Sequence, residues 1–213
     1  DVHVLKAGTG LGTGGGAHLA TGATRQANTE SVGLFSQPRN DRDMDVRIAG
    51  DGPAAEAVAA ALADTDAEPE RVDADTIAGA DLAVVVAPTG DDALATANEA
   101  ADGPWLAVEL GGIGGYPVAG VDAAVTGLAP GRGCFDCLRA RVGSNASETD
   151  DGAVDAPTAR LAGAVGGREA VSAVEGDDGR TTGDLVGRIH ELPHEDRRFL
   201  PVPGCCGTTD DEL

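Results

Sequence analysis

Two pairs of cysteines are the residues in this chain best suited to chemistry. Cys134 and Cys137 enclose Phe135 and Asp136 behind a glycine-rich stretch, and Cys205 and Cys206 stand side by side near the end of the chain. Thiols two residues apart converge readily on one point, and four such sulfurs make the tetrahedral set of a structural zinc site. The expected metal ligands are therefore Cys134, Cys137, Cys205 and Cys206. Adjacent side chains of an extended chain point apart, so Cys205 and Cys206 reach one ion together only where the backbone turns sharply. Gly204 and Gly207 flank them and permit such a turn. His190 and His194 are alternative fourth ligands. A redox role for the Cys134 and Cys137 dithiol is a further reading, although no thioredoxin-like strand-to-helix context surrounds it.

A second motif is Gly-Asp-Gly-Pro-Ala-Ala at 50–55, set between an apolar run and an alanine-rich one. Glycines at Gly50 and Gly52 fit a dinucleotide-binding turn, in which the backbone approaches a phosphate held at a helix N-terminus. Asp73 follows at the distance expected of a ribose-binding carboxylate. A strand-turn-helix that uses glycine only for packing explains the same pattern. Asp51 favours that second explanation, because a carboxylate beside a phosphate repels it. No serine sits in a nucleophile-elbow context, and no catalytic residue is assigned.

The elements that must position these groups are those of an α/β domain beginning at Met44. Expected strands lie at 45–49, 81–87, 104–110 and 121–126, with helices at 56–63 and 91–101 between them. The run at 81–87 is apolar on both faces, as parallel strands covered by helices are. A glycine-rich loop at 111–115 follows the third strand, and a helix or strand at 138–142 follows the first cysteine pair. Residues 143–156 are polar and acidic and read as an exposed loop. A long alanine- and glycine-rich helix is expected at 157–174, then late strands at 184–190 and 198–202 ending at the second cysteine pair.

Residues 1–43 differ from all of this: they carry four acidic and four basic residues, including the only lysine, Lys6. The whole net charge of -21 therefore falls on residues 44–213. With no apolar periodicity, 1–43 is expected to be a disordered extension or sequence upstream of a start at Met44. The acidic surface of the remainder suits a protein living in concentrated salt, where carboxylates hold hydration and keep molecules apart. It also argues against nucleic acid as a partner, because phosphates need a basic patch. No apolar run reaches the roughly 20 residues of a membrane span, and no leader-like segment is visible. The expectation is a soluble, cytoplasmic protein, where paired cysteines are more often metal ligands than disulfides.

In this order the glycine turn, Gly-Cys-Phe-Asp-Cys-Leu-Arg at 133–139, the long helix and Leu-Pro-Val-Pro-Gly-Cys at 200–205 resemble the ubiquitin-activating, ThiF-like fold. More narrowly, residues 44–207 look like the zinc-bearing domain that precedes the YcaO domain in halophilic archaeal YcaO proteins, relatives of the cyclodehydratases of azoline-containing peptides. The resemblance implies a Rossmann-like ThiF-type α/β domain with a zinc-stapled C-terminal part. It implies a noncatalytic scaffold that presents a substrate peptide to a YcaO catalytic domain, which alone uses ATP. No YcaO domain is present in these 213 residues, so the chain is expected to be a fragment, a split subunit or a truncated frame. The loops at 111–115 and 143–156 are the expected contacts with that partner. The alternative is a nucleotide-dependent enzyme, either a ThiF-like adenylyltransferase or an NAD-dependent dehydrogenase. Adenylation needs cations around ATP phosphates, and from Met44 onward there is no lysine.

Overall fold

The computed structural model describes residues 44–143, 154–176, 182–193, 195–199, 202 and 204–205. The expectations placed on residues 1–43, on most of the 143–156 loop, and on His194, Cys206 and Gly207 lie outside the described residues. Four parallel strands form one half of a seven-stranded sheet: β1 (Val46–Ala49), β2 (Glu70–Val72), β3 (Leu82–Pro88) and β4 (Trp105–Leu110). Then β5 (Ala123–Leu128), β6 (Arg188–Leu192) and β7 (Glu195–Arg198) continue it antiparallel, in the spatial order β2-β1-β3-β4-β5-β6-β7. The fold is mixed α/β.

Helices cover both faces, and the period-two alternation of the strands assigns each side chain to one of them. Leu82, Val84 and Val86 of β3, with Leu106 and Val108 of β4, pack under α1 (Gly52–Leu62) and α4 (Ala156–Glu175). Ala83, Val85 and Ala87, with Trp105 and Ala107, face the other way toward α2 (Ala93–Ala100) and α3 (Phe135–Gly143). This two-sided burial is what the unbroken apolar run at 81–87 implied.

Helix α1 starts at Gly52, four residues ahead of the expected 56, because Pro53 sits in its first turn, where a missing N–H costs nothing. Gly50 has φ +102°, and a Cβ there would meet the Val86 carbonyl. Glycine is therefore required at Gly50 by the closeness of β1 to β3, whatever the turn binds. α4 begins with Asp155 accepting a hydrogen bond from the Thr158 N–H at 2.8 Å and ends at Gly176 in the left-handed conformation.

The late elements differ from the sequence expectation. The expected strand at 184–190 is split: Thr182–Leu185 makes one helical turn, α5, and the strand begins only at Arg188. Gly187, at φ +79°, breaks the run and donates its N–H to the Gly127 carbonyl at 2.8 Å. The last strand lies at Glu195–Arg198, ahead of the expected 198–202, because its partner β6 starts at Arg188 and pairing ends at Arg188 with Arg198.

Candidate metal centre

Cys134 and Cys137 come together because they flank the first turn of α3. A tight loop leads in from β5, with the Ala129 N–H bonded to the Gly133 carbonyl at 2.9 Å, and Gly133 at φ +141°. Cys134 then occupies the position before the helix, its carbonyl accepting the Leu138 N–H at 3.2 Å. Residues at the cap and three positions on project to the same side of a helix start. The two sulfurs lie 3.7 Å apart. Both sit at the N-terminal end of α3.

The third sulfur arrives from the other end of the chain. The Cys205 N–H bonds to the Val202 carbonyl at 3.0 Å, closing a turn in which Gly204 has φ +77°. The Val202 N–H in turn donates to the Cys137 sulfur at 3.5 Å, and the Cys205 sulfur stands 3.7 Å from that of Cys134. All three sulfurs are within 4.8 Å of one another. Cys134 and Cys137 are buried and Cys205 is half-buried.

This donor set fits a metal ion. A tetrahedral centre with metal–sulfur bonds of about 2.3 Å holds its sulfurs about 3.8 Å apart, close to both measured separations. Cys134, Cys137 and Cys205 could therefore hold a metal ion. Cys134 is disulfide-bonded in this structure, and neither Cys137 nor Cys205 is. A disulfide sulfur is not a thiolate ligand, so metal binding belongs to the reduced cluster. The same neighbouring sulfurs also leave the dithiol redox reading chemically open. His190 is corrected as a fourth ligand. It lies one residue after Ile189, which packs on the cysteine face, and so points to the opposite face. There its Nε2 is 3.6 Å from Glu169 Oε1 of α4, next to the Arg188 to Glu169 pair at 3.4 Å.

Two groups near the cluster were not found from the sequence. Asn98 of α2 accepts the Phe135 N–H at 2.8 Å and donates to Asp136 Oδ2 at 3.2 Å, capping α3 from another element. An Asn98→Ala variant is expected to lose about 1 kcal/mol of stability, the usual cost of a lost cap, measured by urea unfolding. An unchanged midpoint would contradict this. An isolated asparagine in a helix carries no local sign of such a role. The other group is Glu109, buried on the α3 face of β4 with its Oε1 accepting the Gly115 N–H at 2.7 Å.

Burial pushes the Glu109 pKa up, with the Gly115 amide, the Thr89 hydroxyl, the Gly114 amide and the Arg139 charge acting in the opposite direction. A carboxyl raised in the folded state binds more protons folded than unfolded between its two pKa values. Stability from this group is therefore present below the unfolded pKa and lost as pH rises through the folded one. A Glu109→Gln variant is expected to lack that loss, gaining on the native protein as pH rises across this window. Parallel pH–stability curves for the two proteins would refute it.

The nucleotide-type residues also meet in space. Gly50, Gly52 and Asp73 line one cavity of about 420 Å³ at the C-terminal ends of β1 and β2, with Asp51, Glu56 and Arg71. Arg71 is the only cation among the described residues of that lining, and its guanidinium donates to the carbonyls of Gly50 at 3.0 Å and Ala55 at 2.9 Å. An adjoining cavity of about 340 Å³ reaches the ends of β3 and β4 and adds Asp91. Against known proteins, no family model matches the chain and no curated protein matches it.

Proposed function

We propose that this chain is a zinc-stapled, ThiF-like domain that serves as a noncatalytic scaffold in a YcaO-type peptide-modifying system, presenting a substrate peptide to an ATP-using YcaO domain. The observation that carries the reading is the convergence of three thiols from the start of α3 and the distant Val202 to Cys205 turn. Parallel strands around a glycine turn, then a reversal to antiparallel strands, support the Rossmann-like part of it. Zinc is the metal that best suits a thiolate-rich tetrahedral set. Cys134, Cys137 and Cys205 would hold it, with Cys206 as the fourth ligand that the two cysteine pairs of the sequence suggest. The ion supplies a cross-link in this reading and takes no part in a reaction.

The noncatalytic half rests on the acidity of the cavities. Among the described residues, Asp51, Glu56 and Asp73 face one arginine that is already bonded to backbone carbonyls, which leaves little to neutralise a triphosphate. A second reading, a nucleotide-dependent adenylyltransferase or dehydrogenase, is favoured by the single cavity that gathers Gly50, Gly52 and Asp73. Calorimetry of the purified chain in concentrated potassium chloride separates the two. The scaffold reading expects no binding of ATP or NAD at millimolar concentration, and a Kd below about 100 μM, worth more than about 5 kcal/mol, would overturn it in favour of the enzyme. Acidic composition supports a cytoplasm of high salt as its setting. Among the described residues no helix is long and apolar enough to cross a membrane.

A further inference from the structure

We propose that Glu109 is a positioning residue for the thiol cluster, acting through the glycine turn that it anchors along α3. The inference rests on the metal reading above and adds to it a residue that touches no ligand. Ile113 and Tyr116 exchange both backbone hydrogen bonds, at 3.0 and 3.2 Å, around Gly114 at φ +65° and Gly115 at φ +81°. Two consecutive positive φ values make a tight hairpin turn of the type that requires glycine. Its Gly115 amide is tied to the Glu109 carboxylate at 2.7 Å.

The turn lies against the helix that carries the cysteines. A Cβ on Gly115 would stand 3.8 Å from the Phe135 ring and 3.6 Å from Arg139 Nε, and one on Gly114 would stand 3.3 Å from both Leu138 and Val142. Farther along, the Tyr116 ring approaches Gly143. The turn thus runs beside α3 from its first residue to its last. Asn98 holds the same helix start from α2, so the helix is fixed from two sides. Losing the Glu109 acceptor leaves the Gly115 amide without that partner in a water-poor site, and the turn, then α3, then the Cys134 to Cys137 geometry relax in sequence. A charged side chain is otherwise out of place in β4, whose other residues are apolar.

The test is zinc affinity of the full chain, reduced and at high salt, by competition with a chelator. Cobalt(II) absorption serves as a second readout of tetrahedral thiolate geometry. Outer partners of metal ligands typically change affinity 10–100-fold, and Glu109→Ala is expected to lose on the order of that factor, with an altered cobalt spectrum. Glu109→Gln keeps a carbonyl acceptor and is expected to stay within about threefold of the native affinity. If Glu109→Ala does not fold, Gly114→Ala lifts the turn from Leu138 and Val142 while keeping the Glu109 side chain itself, and the same loss is expected. Native affinity and spectrum in a folded Glu109→Ala or Gly114→Ala would overturn the proposal. So would an equal loss in Glu109→Gln. A native chain that takes up no zinc would overturn the metal reading itself.

Discussion

Replacing Cys137 with alanine is expected to reduce bound zinc from about one equivalent per reduced chain to near zero, and to release the segment around Cys205 from α3. Cys137 is the informative choice because its sulfur takes part twice. It lies 3.7 Å from Cys134 in the donor set, and it accepts the Val202 N–H at 3.5 Å. Its side chain is fully buried, so the substitution also leaves a small cavity. Structural zinc binding in small domains is worth about 10–16 kcal/mol in apparent free energy, far more than the cost of so small a cavity, which is on the order of 1 kcal/mol. The metal contribution can be isolated by comparing the variant with the native chain treated with a chelator. Both should show the same lowered melting temperature, and chelator should do nothing further to the variant. Zinc retained at one equivalent in Cys137→Ala would exclude this residue as a ligand. Because Cys134 is disulfide-bonded here, the measurement requires a reductant throughout.

Gly163→Val is expected to be the most damaging change outside the cysteines, costing about 3 kcal/mol or abolishing folding. α4 packs along α1 with small residues between them. A Cβ on Gly163 would meet the Ala54 carbonyl, one on Gly166 would lie 2.7 Å from Val108 Cγ2, and one on Gly167 would lie 2.6 Å from Ala61 Cβ. Backbone opposes backbone at Gly163, so neither helix can yield by turning a side chain. Gly163→Ala divides two effects of opposite sign. Better helix propensity gains up to about 1 kcal/mol, while crowding of the packed interface costs about 1–3 kcal/mol. The net expectation is a loss of about 1 kcal/mol. Ala164→Ser, one residue along on the exposed side of α4, should stay within about 0.5 kcal/mol. Stabilisation by Gly163→Ala in denaturant melts would show that the two helices are not in close contact.

The same two sites show how far the sequence can be read. The Cys-x-x-Cys element was visible as a donor pair because its spacing is a property of one helix turn. Its approach to Cys205, 71 positions away, was an expectation that needed the strand order to become a distance. Alanine and glycine in α4 suit close packing against a sheet, which α4 makes with β4 and β5, but they do not announce α1 as the helix beside it on the same face. The expected strand at 184–190 failed at Gly187, whose positive φ is set by the contact with Gly127 and not by its neighbours in sequence. Glu109 was read simply as part of a strand. Only the fold revealed that its carboxylate is buried and that the nearby glycines are a turn built on it.

What the sequence determined by itself was local: alternating strands and helices from Met44, a glycine turn before α1, a thiol pair able to share one ion, and the absence of lysine from Met44 onward. These follow from backbone freedom, side-chain period and charge, all of which act over a few residues. What only the tertiary structure decided was which groups face one another. Strand register turns His190 toward Glu169 and away from the cysteines, the C-terminal ends of β1 and β2 gather Gly50, Gly52 and Asp73 into one cavity, and the glycine turn brings Glu109 to α3. Burial and register depend on every element packing at once, and no short window of sequence contains them.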